Sequence, residues 1–216
     1  MHTGAISGTV LTTWGVMAAL GLVSWLSTRR LALEPGPWQA ALEGVVTAVD
    51  QAVAGVTPKH AAHIAPFVGT LWIFLAVANL VGIVPGLSSP TADLSATAAL
   101  AALVFLSVHW FGVRVHGVRA YLRHYVEPSP VLLPFHVISE ISRTLALAVR
   151  LFGNIFSLEM AAFLVLLVAG FLTPVPLLML HVIEALVQAY VFGVLALIYI
   201  AGGVESLELR TNPKGE

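Results

Sequence analysis

Long apolar runs alternate with short polar breaks along the chain, and the runs have membrane length. A bilayer core of about 30 Å is crossed by roughly 20 helical residues. The first run covers residues 8–26 and ends at Arg29 and Arg30. No Lys or Arg precedes it, so it reads as a retained helix and not a signal peptide. The second covers residues 64–84 and ends at Val84-Pro85-Gly86, a helix-stop signal. The third covers residues 94–113. Two longer runs follow, 134–172 and 176–202, and Thr173-Pro174-Val175-Pro176 breaks them into a hairpin. Between the first two runs, Trp38, Ala41, Leu42, Val45, Val46, Val49 and Val53 recur at helical spacing among Gln39, Glu43 and Asp50. That pattern predicts an amphipathic helix over 37–56, lying at the interface and not spanning it. An ordinary connector helix outside the membrane is the alternative. The expected fold is an all-α integral membrane protein, a single membrane domain over 1–216. It has five membrane helices and one interfacial helix, and the last two membrane helices form a long tilted hairpin.

Composition sharpens this picture. Of the 216 residues 58% are apolar and 10% charged, against about 25% charged in an average soluble domain. A soluble globule cannot cover its surface with so few charges. The net charge of -1 leaves no broad basic footprint, so no nucleic-acid partner is expected. The absence of cysteine excludes disulfides, thiolate metal sites and a Cys nucleophile. No cofactor motif occurs.

The few cations are sorted along the chain. Eight of the ten Lys and Arg residues stand in loops or the tail: Arg29, Arg30, Lys59, Arg114, Arg119, Arg123, Arg210 and Lys214. With five spans, all eight share one face of the membrane. The positive-inside rule makes that face cytoplasmic and leaves the N-terminus outside. The other two, Arg143 and Arg150, lie inside an apolar run. An Arg at a helix centre costs about 2.5–3.5 kcal/mol on insertion scales, so it implies a role, a partner or a water-filled cavity.

Helical geometry groups the intramembrane polar residues. Arg143, Arg150 and Asn154 share a face. Glu159, nine residues beyond Arg150 and so rotated by about 900°, lies on the opposite one. Glu140 precedes Arg143 by one turn and is placed to pair with it. Arg150 has no carboxylate one turn away on either side. On the last helix His181, Glu184 and Gln188 form one stripe. Plainer readings exist for several of these residues. Glu159 with His181 or Glu184 fits a satisfied interhelical pair. Asp93 or Ser95 fits a helix cap, and Asn79 fits a helix-terminus residue. His60, His63, His116 and His124 read as interfacial.

Arg150-Leu151-Phe152-Gly153-Asn154, preceded by Ile138-Ser139-Glu140-Ile141-Ser142-Arg143, resembles the signature helix of the a subunit of rotary F-type ATP synthases. The stretch from His181 to Phe192, with Gln188-Ala189-Tyr190-Val191-Phe192, is similar to that family's final helix. Pro66–Thr70, Asn79–Gly82 and Ser89–Leu94 agree with it in order, so the resemblance runs from about Pro58 to Gly203. It implies a non-catalytic stator beside a rotating ring of c subunits. The b subunits of the peripheral stalk and, indirectly, the F1 catalytic sector are further partners. The implied location is a bacterial plasma membrane.

By the same resemblance Arg150 is the essential arginine facing the ring carboxylate, supported by Asn154, Gln188 and Arg143. Glu159, His181 and Glu184 line an outer half-channel that Asp93 and Asn79 extend. His136, Ser139 and Glu140 begin an inner one. Two positions depart from the pattern: His136 replaces a common glutamate, and Thr144 replaces a common proline. A self-contained secondary transporter with Arg150 as substrate anchor is the competing reading, but no repeated halves are visible. An intramembrane hydrolase is a third, but no Gly-x-Ser-x-Gly or His-Glu-x-x-His motif occurs.

Overall fold

The apolar runs become helices. A computed structural model describes residues 8–29, 36–84, 87, 89–119, 121, 133–169 and 175–211. Among the described residues there are six long helices and no strand. They are α1 (Gly8–Thr28), α2 (Pro37–Val56), α3 (Ala61–Val81), α4 (Leu94–His116), α5 (Leu133–Ala169) and α6 (Val175–Thr211). A short 3-10 turn, Pro90–Ala92, precedes α4. Five of the helices, all but α2, are long and apolar enough to cross a membrane.

Local chemistry sets several ends. Pro37 opens α2 where its missing N–H is harmless. Asp93 caps α4 by accepting the Ser95 N–H at 2.8 Å. Gly117, at φ +80°, stops α4 in a conformation other residues avoid. That glycine, and not the change to polar residues at Arg114, marks the end of α4, three residues past the expected 113. Helix α3 is shifted toward the N-terminus relative to 64–84, because the chain turns at Gly82 to bring Ser89 back against it. Helix α6 runs well past 202. Pro85, Gly86, Leu172, Thr173 and Pro174 lie outside the described residues, as do Arg30, Arg123, His124 and Lys214.

Helices α3, α4, α5 and α6 form the core, and α2 packs on α3 and α6. One cluster joins Leu71 and Leu75 of α3, Ala101 and Val104 of α4, Leu147, Ala148 and Leu151 of α5, and Ala189, Phe192 and Ala196 of α6. The second seats Val53 of α2 against Ile64, Ala65 and Val68. Near its other end α2 touches α1, where Trp38 Nε1 donates to Ser27 Oγ at 3.3 Å. Its two ends therefore meet the C-terminal end of α1 and the N-terminal end of α3, so α2 bridges these two ends. Helix α1 lies at the periphery and leaves Trp14, Met17 and Trp25 exposed.

Helices α5 and α6, each of 37 residues, are about 55 Å long at 1.5 Å per residue. That exceeds the hydrocarbon thickness, so they cross obliquely or project beyond it. Small residues let the backbones approach. At Gly193 a Cβ would overlap the Trp72 indole. That indole donates to the Tyr190 carbonyl at 3.2 Å and stacks on the Tyr190 ring with centroids 5.9 Å apart. Gly193→Ala is expected to push Trp72 out and destabilise the α3–α6 contact by about 1–3 kcal/mol, as overpacking does. Thermal denaturation of the detergent-solubilised protein measures it. Adding Trp72→Leu should recover part of the loss, and a wild-type melting curve for Gly193→Ala would show the contact to be slack.

Candidate functional site

Helices α5 and α6 run antiparallel, and their polar side chains meet in register. Asn154 Nδ2 donates to Gln188 Oε1 at 2.7 Å. Eleven residues toward the other end of each helix, the Arg143 guanidinium lies over the Tyr199 ring, 4.7 Å from its centroid. Arg150 falls between these two contacts, near the middle of α5. It is exposed on the outer surface of the helix pair, among exposed Leu145, Val149 and Phe156. Among the described residues its guanidinium has no hydrogen bond or ion pair. Asn154 and Gln188 bond to each other and not to it. Gln188 is 3% exposed, and its Nε2 has no acceptor among the described residues.

A polar cluster lies on each side of Arg150 along the bundle. The first gathers at the C-terminal ends of α3 and α5. The Glu159 carboxylate, half-buried, accepts from the Ser89 backbone N–H at 2.9 Å. The Ser89 hydroxyl donates to the Ala78 carbonyl at 2.9 Å and lies 2.6 Å from the Thr91 hydroxyl. Since Ser89 spends its proton on that carbonyl, it acts as acceptor toward the Thr91 backbone N–H at 3.3 Å. Thr91 Oγ1 donates to Asn79 Oδ1 at 2.6 Å, and Asn79 Nδ2 donates to the Ala185 carbonyl of α6 at 3.1 Å. Asn79 is fully buried, so these bonds are what make its burial tolerable. His181 is 2% exposed, and its Nε2 has no hydrogen-bond partner among the described residues. It lies within electrostatic range of Glu159. Glu184, half-buried, lies one turn along α6 from His181. Gly82 lies close to the cluster: a Cβ there would come within 2.9 Å of Glu159 Oε1, so the carboxylate would have to shift.

Asp93 stands at the rim of this cluster as a cap. Its Oδ1 accepts from the Ser95 hydroxyl at 2.7 Å as well as from the Ser95 N–H. Its Oδ2 accepts from Thr9 Oγ1 of α1 at 3.0 Å. The Ser95 hydroxyl, then the Ser95 N–H, hold its carboxyl below the ordinary value of 3.8, and Thr9 adds to this against a small opposing effect of burial. A lowered folded value means the stabilisation is complete above the ordinary carboxylate range and fades as pH falls through the lowered value. Asp93→Ala is expected to cost about 1 kcal/mol at neutral pH, the usual worth of a cap. The deficit against the wild type should shrink in strong acid. Thermal unfolding at several pH values checks this; a gap constant with pH would assign the loss to packing.

The second cluster lies at the other end, toward the C-termini of α4 and α6. His109 of α4 places Nε2 3.4 Å from Glu140 Oε2 of α5, while its Nδ1 lies 2.9 Å from the Phe105 carbonyl. Glu140 thus turns to His109, and Arg143, expected beside Glu140, turns to Tyr199. His136 and Ser139 are exposed on the first turns of α5. Ser89, Thr91, His109 and Tyr199 carry roles in these clusters that the residue pattern alone does not assign. His109 had a visible signal, an imidazole inside an apolar span. Ser89 and Thr91 had none beyond belonging to the Ser89–Leu94 segment.

Fold and site together define a multi-pass α-helical membrane protein with a polar seam between two long helices. The family model described as ATP synthase A chain matches residues 10–201. "ATP synthase subunit a 2" of Pelobacter propionicus is 64% identical over 217 residues, covering 100% of this chain and 95% of that protein. "ATP synthase subunit a" of Legionella pneumophila (strain Philadelphia 1) is 58% identical over 207 residues, 95% of this chain and 90% of the relative. "ATP synthase subunit a 1" of Hahella chejuensis is 60% identical over 207 residues, 95% and 88% of the two chains. The chain belongs to the ATP synthase A chain family.

Proposed function

We propose that the chain is the stator a subunit of a rotary ATP synthase, supplying two ion half-channels to the c-ring and the arginine that couples ion passage to rotation. The observation that carries this reading is Arg150. It is a permanent cation on the exposed face of the middle of a long apolar helix, with no counter-ion among the described residues. Facing lipid it would be costly. Facing a mid-membrane carboxylate of a second protein it is stabilised, and it favours the ionised form of that carboxylate by about 1–3 pKa units at close range. It thereby drives ion release from the ring and bars cations from leaking past.

The two polar clusters then serve the two half-channels. Glu159, His181, Glu184, Asn79 and Asp93 belong to the outer one, His136, Ser139 and Glu140 to the inner one. The Asn154–Gln188 bond holds α5 to α6 beside Arg150. The chain carries no ATP chemistry itself. Its partners are the c-ring, the b subunits of the peripheral stalk and, through them, F1. Its place is a bacterial plasma membrane, with the N-terminus outside and the C-terminus cytoplasmic. Arg150→Ala in the assembled complex tests the reading: coupled synthesis should be lost, and retained coupling overturns it.

A further inference from the structure

The His109–Glu140 pair has a protonation pattern that geometry restricts. The Phe105 carbonyl can only accept, so His109 Nδ1, 2.9 Å away, carries a hydrogen. That leaves Nε2 facing Glu140 Oε2 at 3.4 Å. A bare Nε2 facing a bare carboxylate would be repulsive. One proton on either atom makes the contact attractive, so the geometry suits a proton passed between an imidazole and a carboxylate. The ring is kept in this orientation by Phe105, with centroids 4.3 Å apart, and by the edge contact with Tyr121 at 5.8 Å.

The pair opens on a cleft lined by Val108, Thr144, Leu147, Arg143 and Tyr199, with water-accommodating volume of about 20 Å³. One water fits such a space. Arg143, anchored on Tyr199, adds a fixed positive charge to the same wall. That charge disfavours a resident metal cation, and among the described residues no group of three or more acidic or His side chains is placed to hold one. A proton passed along hydrogen bonds needs no such site. Arg143 precedes Arg150 by two helical turns, about 10.5 Å, so the cleft lies on the route from Arg150 to the tail side.

We propose that His109 and Glu140 form a proton relay in the inner half-channel, with His109 the group that exchanges its proton with water on the tail side. The proposal rests on the stator reading. In the release direction a proton leaving the ring forms an O–H bond on the Glu140 carboxylate. That bond breaks as an N–H bond forms on His109 Nε2. The imidazolium then gives the proton to water, restoring the neutral ring and the carboxylate. Uptake is the reverse. The titratable and charged groups facing the ring include Glu140 and Arg143 of α5, Tyr199 of α6 and Tyr121.

The test uses the assembled complex in proteoliposomes, stripped of F1, with a potassium–valinomycin potential driving passive proton flow. His109→Gln keeps an amide donor toward Glu140 and removes the exchangeable proton. It should lower proton conduction about a hundredfold, the low end of general acid–base effects, and flatten its dependence on tail-side pH. Co-purification of the c-ring scores assembly. If His109→Gln does not assemble, Glu140→Gln carries the same comparison from the other partner. Wild-type rate and pH profile in the assembled variant overturn the relay, and so does a current carried by sodium and indifferent to pH in the unmodified complex. Arg150→Ala in parallel separates the two proposals. If it abolishes coupling while His109→Gln changes nothing, the relay alone fails. If it leaves coupling intact, the stator reading fails.

Discussion

Replacing Arg150 by Ala is expected to abolish both ion-driven ATP synthesis and ATP-driven pumping while the complex still assembles. The exposed Arg150 side chain makes no hydrogen bond or ion pair with a described residue, so its loss leaves no buried partner stranded and the fold is little affected. On the proposed stator reading, what is lost is a cation at mid-membrane. Without it a ring carboxylate passing α5 recovers the 1–3 pKa units that an adjacent opposite charge provides, about 1.4–4 kcal/mol per ion. A potential of 100 mV supplies only about 2.3 kcal/mol per charge, so the release step loses most of its drive. The carboxylate then keeps its ion past the stator, and rotation no longer requires ion exchange. Arg150→Lys retains charge but not the planar fork, and should retain a small part of the activity. ATP synthesis in proteoliposomes under an imposed gradient measures all three proteins. Substantial coupled synthesis by Arg150→Ala would remove the basis for the assignment.

The second large effect concerns ion access from the opposite side. Glu159→Leu with His181→Leu is expected to slow passive ion flow through the F1-stripped complex by about a hundredfold, the low end of the scale of losing positioned proton-transfer groups. Glu159 meets the Ser89 N–H at 2.9 Å, and His181 presents an Nε2 without a partner among the described residues. Both are therefore placed to meet a moving ion, and an imidazole nitrogen can both take and give a proton. The double change strands the Ser89 N–H, so some loss of stability accompanies it. Asn79 and Thr91 remain hydrogen-bonded to each other, which should preserve assembly. Flow at the unmodified rate, with the ring still bound, would exclude these two residues from the path.

Much of the architecture is legible in the order of residues. Span length follows from bilayer thickness, so the apolar runs locate five crossing helices, and the amphipathic stripe of 37–56 identifies the sixth. Ends are less legible, because they depend on particular contacts. Helix α4 ends at His116 because Gly117 takes a positive φ, and α3 stops early where Ser89 returns to bond its Ala78 carbonyl. The intramembrane residues are legible as a set, since any charge in an apolar run is costly. Their pairings are not. Glu140 lies one turn from Arg143, and helical spacing alone favours that pair. The structure sends Glu140 to His109 and Arg143 to Tyr199.

The chain's own sequence thus determined its solvent, its number of crossings and which side chains must have a purpose, because desolvation acts on each residue separately. Only the tertiary structure decided who meets whom. The register of α5 against α6, which brings Asn154 to Gln188 and Arg143 to Tyr199, goes with the packing of Ala189 and Ala196 against Leu147, Ala148 and Leu151. The inward turn of Asn79 and the outward exposure of Arg150 follow from that packing as well. Spacing along one helix gives the face a residue occupies, and the packing of the neighbouring helices decides what that face confronts.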